Sequence, residues 1–293
     1  MNYVTTDDGG LESDGRPFLT DRESLAAVYE RITSSVESLV ADANADGVVV
    51  AMSGGVDSTL TATLAADAVG SENVLALGMP YHKTEQAGMV DARSVAEDLE
   101  IDFREIHLRS LIDAFDESIS PALEPDRESL SRPNQRNHAL GNVAARMRMV
   151  TLYYAANRQS QIVLGTANRS ESLLGYFTKY GDGAADCYPI GDLYKTEVRA
   201  LADYLDVPDR IIDKEPTAGF YVGQTDADEL GAPYAVIDPL LERVVDRGQS
   251  LEDAADEMGI DRKTAREVLG MCDSSEHKRT VPQTPGIDDR DRA

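Results

Sequence analysis

Residues 53–58 read Ser-Gly-Gly-Val-Asp-Ser and directly follow the apolar segment Gly47–Met52. Two adjacent glycines let the backbone come close to an anion, and the start of a helix after such a turn offers free N–H groups. Asp57 is the one acidic residue in this run, and a carboxylate beside phosphates needs a cation between them. The run therefore predicts a phosphate-binding loop in which Asp57 holds Mg²⁺.

The loop differs from the commoner nucleotide-binding motifs. The pattern G-x-x-x-x-G-K-[ST] needs a lysine that this loop lacks, and G-x-G-x-x-G does not occur in the chain. The form S-G-G-x-D-S after a strand instead resembles the signature of the ATP pyrophosphatases, which cleave ATP between its α and β phosphates to adenylate a substrate. A tight turn that binds no ligand is the alternative interpretation.

A second polar cluster follows another apolar segment. Residues 166–171 read Thr-Ala-Asn-Arg-Ser-Glu after Gln161–Gly165. Since ligands bind at the carboxyl ends of the strands of a parallel sheet, we expect Glu171 and Asp57 to meet at one sheet edge. Together with phosphate oxygens, two carboxylates would form an oxygen-rich Mg²⁺ site. The alternative for Glu171 is a helix-capping or solvated side chain.

The segments that must position these residues alternate between strand and helix. Apolar runs predict strands at Gly47–Met52, Asn73–Met79, Asp102–Leu108 and Gln161–Gly165. Apolar residues at helical spacing predict helices at Asp21–Ala41, Ser58–Ala68, Thr84–Leu99, Ser110–Ser118 and Leu140–Arg158. This alternation predicts an α/β fold with a doubly wound parallel sheet and helices on both faces.

Length and composition limit the organisation of the chain. Its 293 residues can form one substantial core. We predict a flexible N-terminal segment at 1–20, a single domain at 21–281 and a flexible tail at 282–293, because both ends are polar. No apolar run approaches a membrane span, and residues 1–8 lack the features of a signal peptide, so a cytoplasmic location is expected. Cys187 and Cys272 match neither a metal motif nor a disulfide framework.

The net charge of −25 excludes some classes of partner. Such a surface repels nucleic acid and anionic membranes. It is also poor in lysine, which makes it similar to the acidic surfaces of proteins from salt-loving organisms, where dense counterions screen the repulsion. Because lysine is scarce, each lysine is a better candidate for a specific role than it would be in an average protein.

A glycine-broken stretch lies between residues 175 and 196. It contains Lys-Tyr-Gly-Asp-Gly at 179–183, then Asp186, and then Lys195-Thr196. The stretch has too little periodicity for a helix or a strand, and loops that carry such polar residues between packed elements often bind ligands. A plain surface loop is the alternative.

With these segments in order, the chain resembles ammonia-dependent NAD⁺ synthetase from about residue 22 to about residue 282. The matching segments are residues 53–58, 141–142, 145–149, 165–171, 175–186, 189–190, 193, 195–196, 216–219, 223–226 and 277–279. The resemblance implies a Rossmann-like fold of the adenine nucleotide alpha-hydrolase type. It also implies a homodimer with the second substrate bound near the subunit interface.

The resemblance assigns roles to individual residues, and these roles are expectations. Asp57, Glu171 and Lys195 would be catalytic, and Asp57 and Glu171 would bind Mg²⁺. Residues implied to bind ATP, the co-substrate, are Ser53, Gly54, Gly55, Val56, Asp57, Ser58, Thr166, Lys195 and Thr217. Residues implied to bind deamido-NAD⁺ (nicotinic acid adenine dinucleotide) are Arg146, Lys179, Asp186, His277 and Lys278; their basic groups suit a pyrophosphate and a carboxylate.

Three places depart from the usual pattern of this family. One is Phe220-Tyr221, where the family often has Leu-Trp. The family usually has Asp-Glu where this chain reads Asp226-Ala227, so no role is transferred to Ala227 and the role of Asp226 stays open. Thr217 stands where the family usually has serine, and it keeps a hydroxyl group.

The implied reaction is the ATP-dependent amidation of deamido-NAD⁺ to NAD⁺, with AMP and pyrophosphate as the other products, through an adenylated carboxylate. Glutamine-using relatives carry a large extra domain with a catalytic cysteine, for which this chain has no room. Free ammonia is therefore the expected nitrogen donor, unless a separate glutaminase subunit delivers it.

Four alternatives remain open from the sequence. The synthetase part of GMP synthetase shares Ser-Gly-Gly-Val-Asp-Ser but would not explain residues 179–183. A sulfur-transferring pyrophosphatase that modifies tRNA would need reactive cysteines and a basic face. Ser250–Leu269 has the look of a DNA-binding helix-turn-helix, although its many acidic residues favour packing against the core. A non-catalytic ATP-binding module would need the loop but not Arg146, Lys179 or Asp186.

Overall fold

The computed structural model describes residues 18–82, 85–123, 133–217, 225–282 and 284 of the chain. The described strands are β1 (Gly47–Ala51), β2 (Val74–Gly78), β3 (Asp102–Glu105) and β4 (Gln161–Leu164). The described helices are α1 (Arg22–Asp42), α2 (Val56–Val69), α3 (Gln86–Asp98), α4 (Arg109–Leu123), α5 (Pro133–Gln159), α6 (Arg169–Leu174), α7 (Lys195–Tyr204), α8 (Asp209–Ile212), α9 (Asp226–Leu230), α10 (Tyr234–Leu241), α11 (Leu251–Met258), α12 (Arg262–Ser274) and α13 (Glu276–Arg279).

The strands form one parallel sheet in the order β3-β2-β1-β4. Side chains of a strand alternate between its two faces, and β1 shows this directly. Val48 and Val50 pack with α1, α2, α3 and α7 on one face, whereas Val49 packs with α4 and α5 on the other. Both faces of β1 are thus buried, which explains its uninterrupted apolar sequence. The predicted doubly wound parallel sheet is confirmed.

The strand order places a topological switch point between β1 and β4. The chain moves outward from β1 to β2 and β3, and then returns to pair β4 with the other side of β1. Val50 of β1 is in register with Leu164 of β4, so the two strands end side by side. The loops that follow them, at 52–55 and 165–168, therefore leave the sheet next to each other, where ligands bind in folds of this type.

The C-terminal helices form a separate apolar cluster with α6. Ala254 and Ala255 of α11 and Ala265 and Val268 of α12 are buried with Ile237 of α10. The helix-turn-helix segment therefore packs against the domain through its apolar face, as its acidic residues favoured. This layer brings α9 and α10 towards the end of the sheet at which α6 begins.

Some predicted boundaries differ from the observed ones. β3 ends at Glu105 rather than Leu108, although the backbone N–H groups of Ile106 and Leu108 still donate to the carbonyls of Gly78 and Pro80, at and beyond the end of β2. α5 begins at Pro133 rather than Leu140, and proline fits the first position of a helix because the N–H group it lacks would have no intrahelical partner there.

The predicted flexible ends, 1–20 and 282–293, lie largely outside the described residues. At the N-terminal boundary, the ring of Phe18 stands edge-on to Tyr194 with the ring centroids 5.6 Å apart. The backbone N–H of Leu19 donates to Glu197 Oε1 at 2.9 Å. A bilayer-spanning segment is absent among the described helices, since none of them combines the required length with the required apolarity.

Glycine ends two helices in the same backbone conformation but in different surroundings. Gly175 follows α6 and Gly259 follows α11, each with φ of +65°. A Cβ added at Gly175 would lie 2.1 Å from Ser275 Cβ, whereas nothing lies within 4 Å of one at Gly259. We expect Gly259→Ala to lower the free energy of unfolding by about 1 to 2 kcal/mol, through backbone strain alone. Gly175→Ala should cost about 2 kcal/mol more, because Ser275 must also move.

Denaturant titration of the two alanine variants measures this difference. Equal losses would contradict the close contact between Gly175 and Ser275.

Candidate active site

The loop after β1 is organised by its own serine side chains. Ser58 Oγ lies 3.2 Å from both the backbone nitrogen and the Oγ of Ser53, and it donates to the Gly55 carbonyl at 3.1 Å. The Gly55 N–H in turn points to Ser53 Oγ at 3.3 Å. Gly55 is the N-cap residue of α2 and has no side chain to cap the helix. The first N–H groups of α2 are therefore available to an anion.

Gly54 is required by packing as well as by conformation. Its φ of +77° lies in the left-handed region, and an added Cβ would be 2.1 Å from the carbonyl oxygen of Gly88 in α3. The loop thus lies directly on the backbone of α3. The sequence predicted close approach to an anion as the reason for glycine here, and the structure adds close approach to a helix.

Asp57, Glu171 and Lys195 converge at the switch point, although they come from three different helices. The Lys195 ammonium contacts Asp57 Oδ2 and lies 3.4 Å from Glu171 Oε1. Only 3 % of the Lys195 side chain is exposed. Burial by itself lowers the pKa of Lys195, but the charges of Asp57 and Glu171 outweigh that effect and leave its pKa above the usual value. The lysine is therefore a charged group at the centre of the site.

Asn168 joins the two carboxylates. Its Oδ1 accepts from the Glu171 N–H at 3.0 Å, and its own N–H donates to Glu171 Oε2 at 3.4 Å, which forms a capping box at the start of α6. Its Nδ2 donates to Asp57 Oδ1 at 2.9 Å. One fully buried amide side chain therefore fixes the positions of both carboxylates.

Asp226 adds a third carboxylate to this region. It is buried at the start of α9 and accepts hydrogen bonds from Tyr176 at 3.2 Å and from Tyr234 at 3.0 Å. Its charge acts on Lys195, whose ammonium also lies 5.4 Å from the centroid of the Tyr234 ring. Burial raises the pKa of Asp226, against the lowering effect of the Lys195 charge. This residue, left open by the sequence, belongs to the same electrostatic cluster.

The cluster has more acidic than basic groups. Asp57, Glu171 and Asp226 place three carboxyl groups around the Lys195 ammonium. Burial raises the pKa of Glu171 well above its usual range, although Lys195 acts in the opposite direction. In the described part of the chain, no three His, Cys, Asp or Glu side chains are grouped to hold a metal alone. Asp57 and Glu171 could still hold a divalent cation whose remaining ligands are phosphate oxygens and water.

Asp238 positions the start of α7 relative to α6. It is fully buried in α10, where Oδ1 accepts from Ser170 Oγ at 2.6 Å and Oδ2 accepts from the backbone and hydroxyl of Thr196 at 2.8 and 2.7 Å. Ser170 Oγ also accepts from the Lys195 N–H at 2.9 Å. The backbone of Lys195 is thereby tied to the helix that carries Glu171.

The second group of predicted residues surrounds the loop that follows α6. The Arg146 guanidinium donates twice to the Lys179 carbonyl, at 3.1 and 3.2 Å, and the Lys179 ammonium donates to the His277 carbonyl. The Lys278 ammonium donates to the carbonyls of Gly175 and Phe177 at 2.8 and 3.1 Å. Burial lowers the pKa of Lys278. Basic groups from α5, α13 and the loop are thus brought together.

Asp186 is held by β4 and by α5. Its carboxylate accepts from the Val163 N–H of β4 at 2.9 Å and from the Tyr153 hydroxyl of α5 at 2.7 Å. An open groove of about 590 Å³ runs beside it along α5. The groove is lined by Arg146, Met149, Val150, Tyr153, Tyr154, Asn157, Tyr180 and Ala184. Its volume is in the range of sites that hold cofactor-sized ligands.

The two predicted threonines lie at the edges of the described site. Thr166 is half-buried between β4 and Asn168. Thr217 is exposed at the end of the described segment 133–217. The structure therefore brings Thr166 to the switch point, and the expected contact of Thr217 with ATP stays a prediction.

Comparison with known families gives this arrangement its context. The family model described as NAD synthase matches residues 28–282. The chain belongs to the NAD synthase family. This confirms the family expected from the motifs, and with it the expected enzyme class.

Relatives of the chain match it over most of its length. The NH(3)-dependent NAD(+) synthetase of Thermococcus kodakarensis is 44% identical over 259 residues, which cover 88% of this chain and 96% of the relative. The NH(3)-dependent NAD(+) synthetase of Methanococcoides burtonii is 43% identical over 244 residues, which cover 83% and 89%.

Solved structures show the same fold. An NMN synthetase from Francisella tularensis has 33% identity and a TM-score of 0.77, covering 90% of this chain and 99% of its own. An NH3-dependent NAD synthetase from Campylobacter jejuni has 31% identity and a TM-score of 0.70, covering 89% and 98%. The match to a glutamine-dependent NAD+ synthetase from Acinetobacter baumannii has 27% identity and a TM-score of 0.58, and it covers 89% of this chain but 47% of the longer one.

Several residues of the site were not found from the sequence. Asn168 could have been found, because Asn168 and Glu171 have the spacing of a capping box directly after a strand. Tyr176, Tyr234 and Asp238 carry no such local signal. They enter the site only because α9, α10 and the loop after α6 pack against one another.

Proposed function

We propose that this protein catalyses the ATP-dependent amidation of deamido-NAD⁺ with ammonia, giving NAD⁺, AMP and pyrophosphate. The observation that carries the proposal is the convergence of Asp57, Glu171 and Lys195 beside the phosphate loop at the switch point of the sheet. This arrangement combines a phosphate-binding helix start, a charged lysine and two carboxylates that suit a divalent cation.

ATP is needed because the substrate's carboxylate is a poor electrophile. In the first step, a nicotinate carboxylate oxygen attacks the α-phosphorus of ATP, and the bond to the bridging oxygen breaks to release pyrophosphate. In the second step, ammonia attacks the carbonyl carbon of the resulting acyl adenylate, AMP leaves with its electron pair, and the nitrogen loses a proton. Neither step needs a covalent bond to the protein.

The residues at the switch point suit the first step. The N–H groups at the start of α2 and the hydroxyls of Ser53 and Ser58 would hold the phosphates. Lys195, held at its backbone by Ser170 and charged, would stabilise negative charge that develops on them. Asp57 and Glu171 would hold Mg²⁺, which supplies positive charge to the phosphate oxygens when it is bound.

The basic group around the loop after α6 suits the second substrate. The pyrophosphate and the carboxylate of deamido-NAD⁺ would be bound by Arg146, Lys179, His277 and Lys278. The groove beside Arg146 has room for one of the two nucleotides of this substrate. Asp186, held by Tyr153 and the backbone of β4, would contact the same substrate.

The acceptor is tested by following AMP release with ATP, Mg²⁺ and ammonium chloride. Deamido-NAD⁺ is expected to give AMP and NAD⁺ in equal amounts, whereas XMP should give neither. Nicotinic acid mononucleotide belongs in the panel because the chain is similar to an NMN synthetase. Glutamine in place of ammonium should give no product from the chain alone.

Several outcomes of this assay would contradict the proposal. Turnover with XMP alone would point to a GMP synthetase activity, and turnover with nicotinic acid mononucleotide alone would point to NMN synthesis. ATP binding without any turnover, at both low and high salt, would indicate a non-catalytic module.

The proposed Mg²⁺ site gives a separate prediction. Asp57→Asn and Glu171→Gln should each lower the rate of AMP formation by at least about 100-fold, because each removes a carboxylate from the metal site. Asp67→Asn is a matched control, since Asp67 is an exposed carboxylate on the same helix as Asp57. AMP formation is measured over a range of Mg²⁺ concentrations, and circular dichroism checks the fold. A near-normal rate in Asp57→Asn or Glu171→Gln would remove that residue from the proposed site.

We also propose that the chain forms a homodimer through the outer face of α5. Val150, Tyr154 and Tyr180 are 64%, 68% and 55% exposed beside the groove that Arg146 lines. Exposed apolar patches of this kind often mark interaction sites. The acidic surface elsewhere would disfavour nonspecific association.

Size-exclusion chromatography coupled to light scattering is expected to give twice the mass of one chain for the wild type. Tyr154→Asp should give the mass of a monomer. Lys263→Asp, on the exposed face of α12, should remain dimeric. A monomeric wild type would contradict the proposal.

A further inference from the structure

Lys214 makes a contact with the phosphate loop that the reaction described above does not use. The residue follows α8, and its ammonium donates to the Gly54 carbonyl at 2.7 Å and to Asp91 Oδ2 in α3 at 2.7 Å. Its side chain is 35% exposed. A long side chain that reaches a loop 160 residues earlier in the chain is therefore held by two acceptors at once.

The Gly54 carbonyl determines the direction of a neighbouring N–H group. A trans peptide unit is planar, so the carbonyl of Gly54 and the N–H of Gly55 point in opposite directions. With the carbonyl on the Lys214 ammonium, the Gly55 N–H points to Ser53 Oγ, inside the loop. Lys214 thus holds the peptide unit in the orientation that directs an N–H group towards the loop interior.

This peptide unit would otherwise be easy to turn over. It joins two glycines, which have no Cβ to restrict φ and ψ. In the opposite orientation, a carbonyl oxygen would face the place where phosphates are expected, and it would repel them. The contact of Gly54 with Gly88 fixes the position of the loop on α3. A contact at the side of the loop does not determine which way the carbonyl of the Gly54–Gly55 peptide points.

An ion pair with Asp91 holds the Lys214 ammonium in place. Asp91 bonds to Lys214 and also accepts from Arg210 at 3.3 Å. The hydrogen bond from Lys214 lowers the pKa of Asp91, against the effect of burial, so the carboxylate is charged at neutral pH. An ion pair that includes a partly buried charge holds its geometry better than a fully exposed pair.

We propose that Lys214 is a positioning residue for ATP, which fixes the Gly54–Gly55 peptide so that its carbonyl points away from the place where the phosphates are expected. The inference rests on the proposed binding of ATP at residues 53–58. It does not depend on which acceptor is adenylated.

The test is direct binding of ATP with Mg²⁺ by calorimetry, together with KM for each substrate. Lys214→Met keeps the length of the side chain and removes its donors, so it should weaken ATP binding about tenfold, as expected for the loss of a hydrogen bond to a charged group. KM for deamido-NAD⁺ should stay within about twofold of the wild-type value, since that substrate is expected to bind at the basic group around the loop after α6. Lys214→Arg keeps donors at this position and should bind ATP within about threefold of wild type.

Arg210→Met is the matched control. It removes a different cation from Asp91 without touching the loop, and it should bind ATP as the wild type does. Thermal unfolding of all variants checks that the fold is intact.

The proposal is overturned if Lys214→Met binds ATP normally, if Lys214→Arg is as weak as Lys214→Met, or if Lys214→Met raises KM for both substrates equally. Failure of the amidation reaction in the wild type, with ATP binding still weakened in Lys214→Met, would instead reject the proposed function and leave this inference standing. Absence of ATP binding in the wild type would overturn both.

Discussion

The buried ammonium of Lys195 is the interaction on which the rest of the site depends. A lysine that is only 3 % exposed costs several kcal/mol in lost hydration unless carboxylates compensate for it. Asp57 and Glu171 provide that compensation from the starts of α2 and α6, while Lys195 itself begins α7. The mutual attraction of these charges therefore specifies how three helix starts meet at the end of the sheet. Asn168 and Asp238 then fix the same three helices through hydrogen bonds.

The C-terminal helices have a role beyond extending the core. α9 and α10 contribute Asp226, Tyr234 and Asp238 to the surroundings of Lys195. α13 contributes His277 and Lys278 to the basic group around the loop after α6. A doubly wound sheet alone would leave the switch point open to solvent on this side. With the helical layer present, the electrostatic interactions at the site act in a medium of lower dielectric and are stronger than in water.

The distribution of lysine links the composition to the site. The chain has six lysines, and four of them, Lys179, Lys195, Lys214 and Lys278, contact site residues or the loops that carry them. Lys263 lies exposed on α12 beside Glu267, and Lys83 is outside the described residues. In a chain of net charge −25, the lysines are thus concentrated where the substrates expected for this family carry phosphates and a carboxylate. Such an arrangement directs anionic ligands to the site against a repulsive surface.

The sequence by itself determined the fold class, the phosphate loop and the expected pairing of Asp57 with Glu171, whereas the expected role of Lys195 came from the resemblance to a family. These features are local: an apolar strand, a glycine turn and a helix start occupy adjacent residues, and strand alternation fixes where such turns emerge. Only the tertiary structure decided that Lys195 lies between the two carboxylates, and that Asn168 reaches Asp57, 111 residues earlier in the chain. It also decided that Asp226 and Lys214 join the site. These contacts depend on how the helices pack on the sheet and on which side chains that packing buries. A local sequence pattern does not predict packing or burial, because both involve surfaces formed by residues that are far apart in the chain.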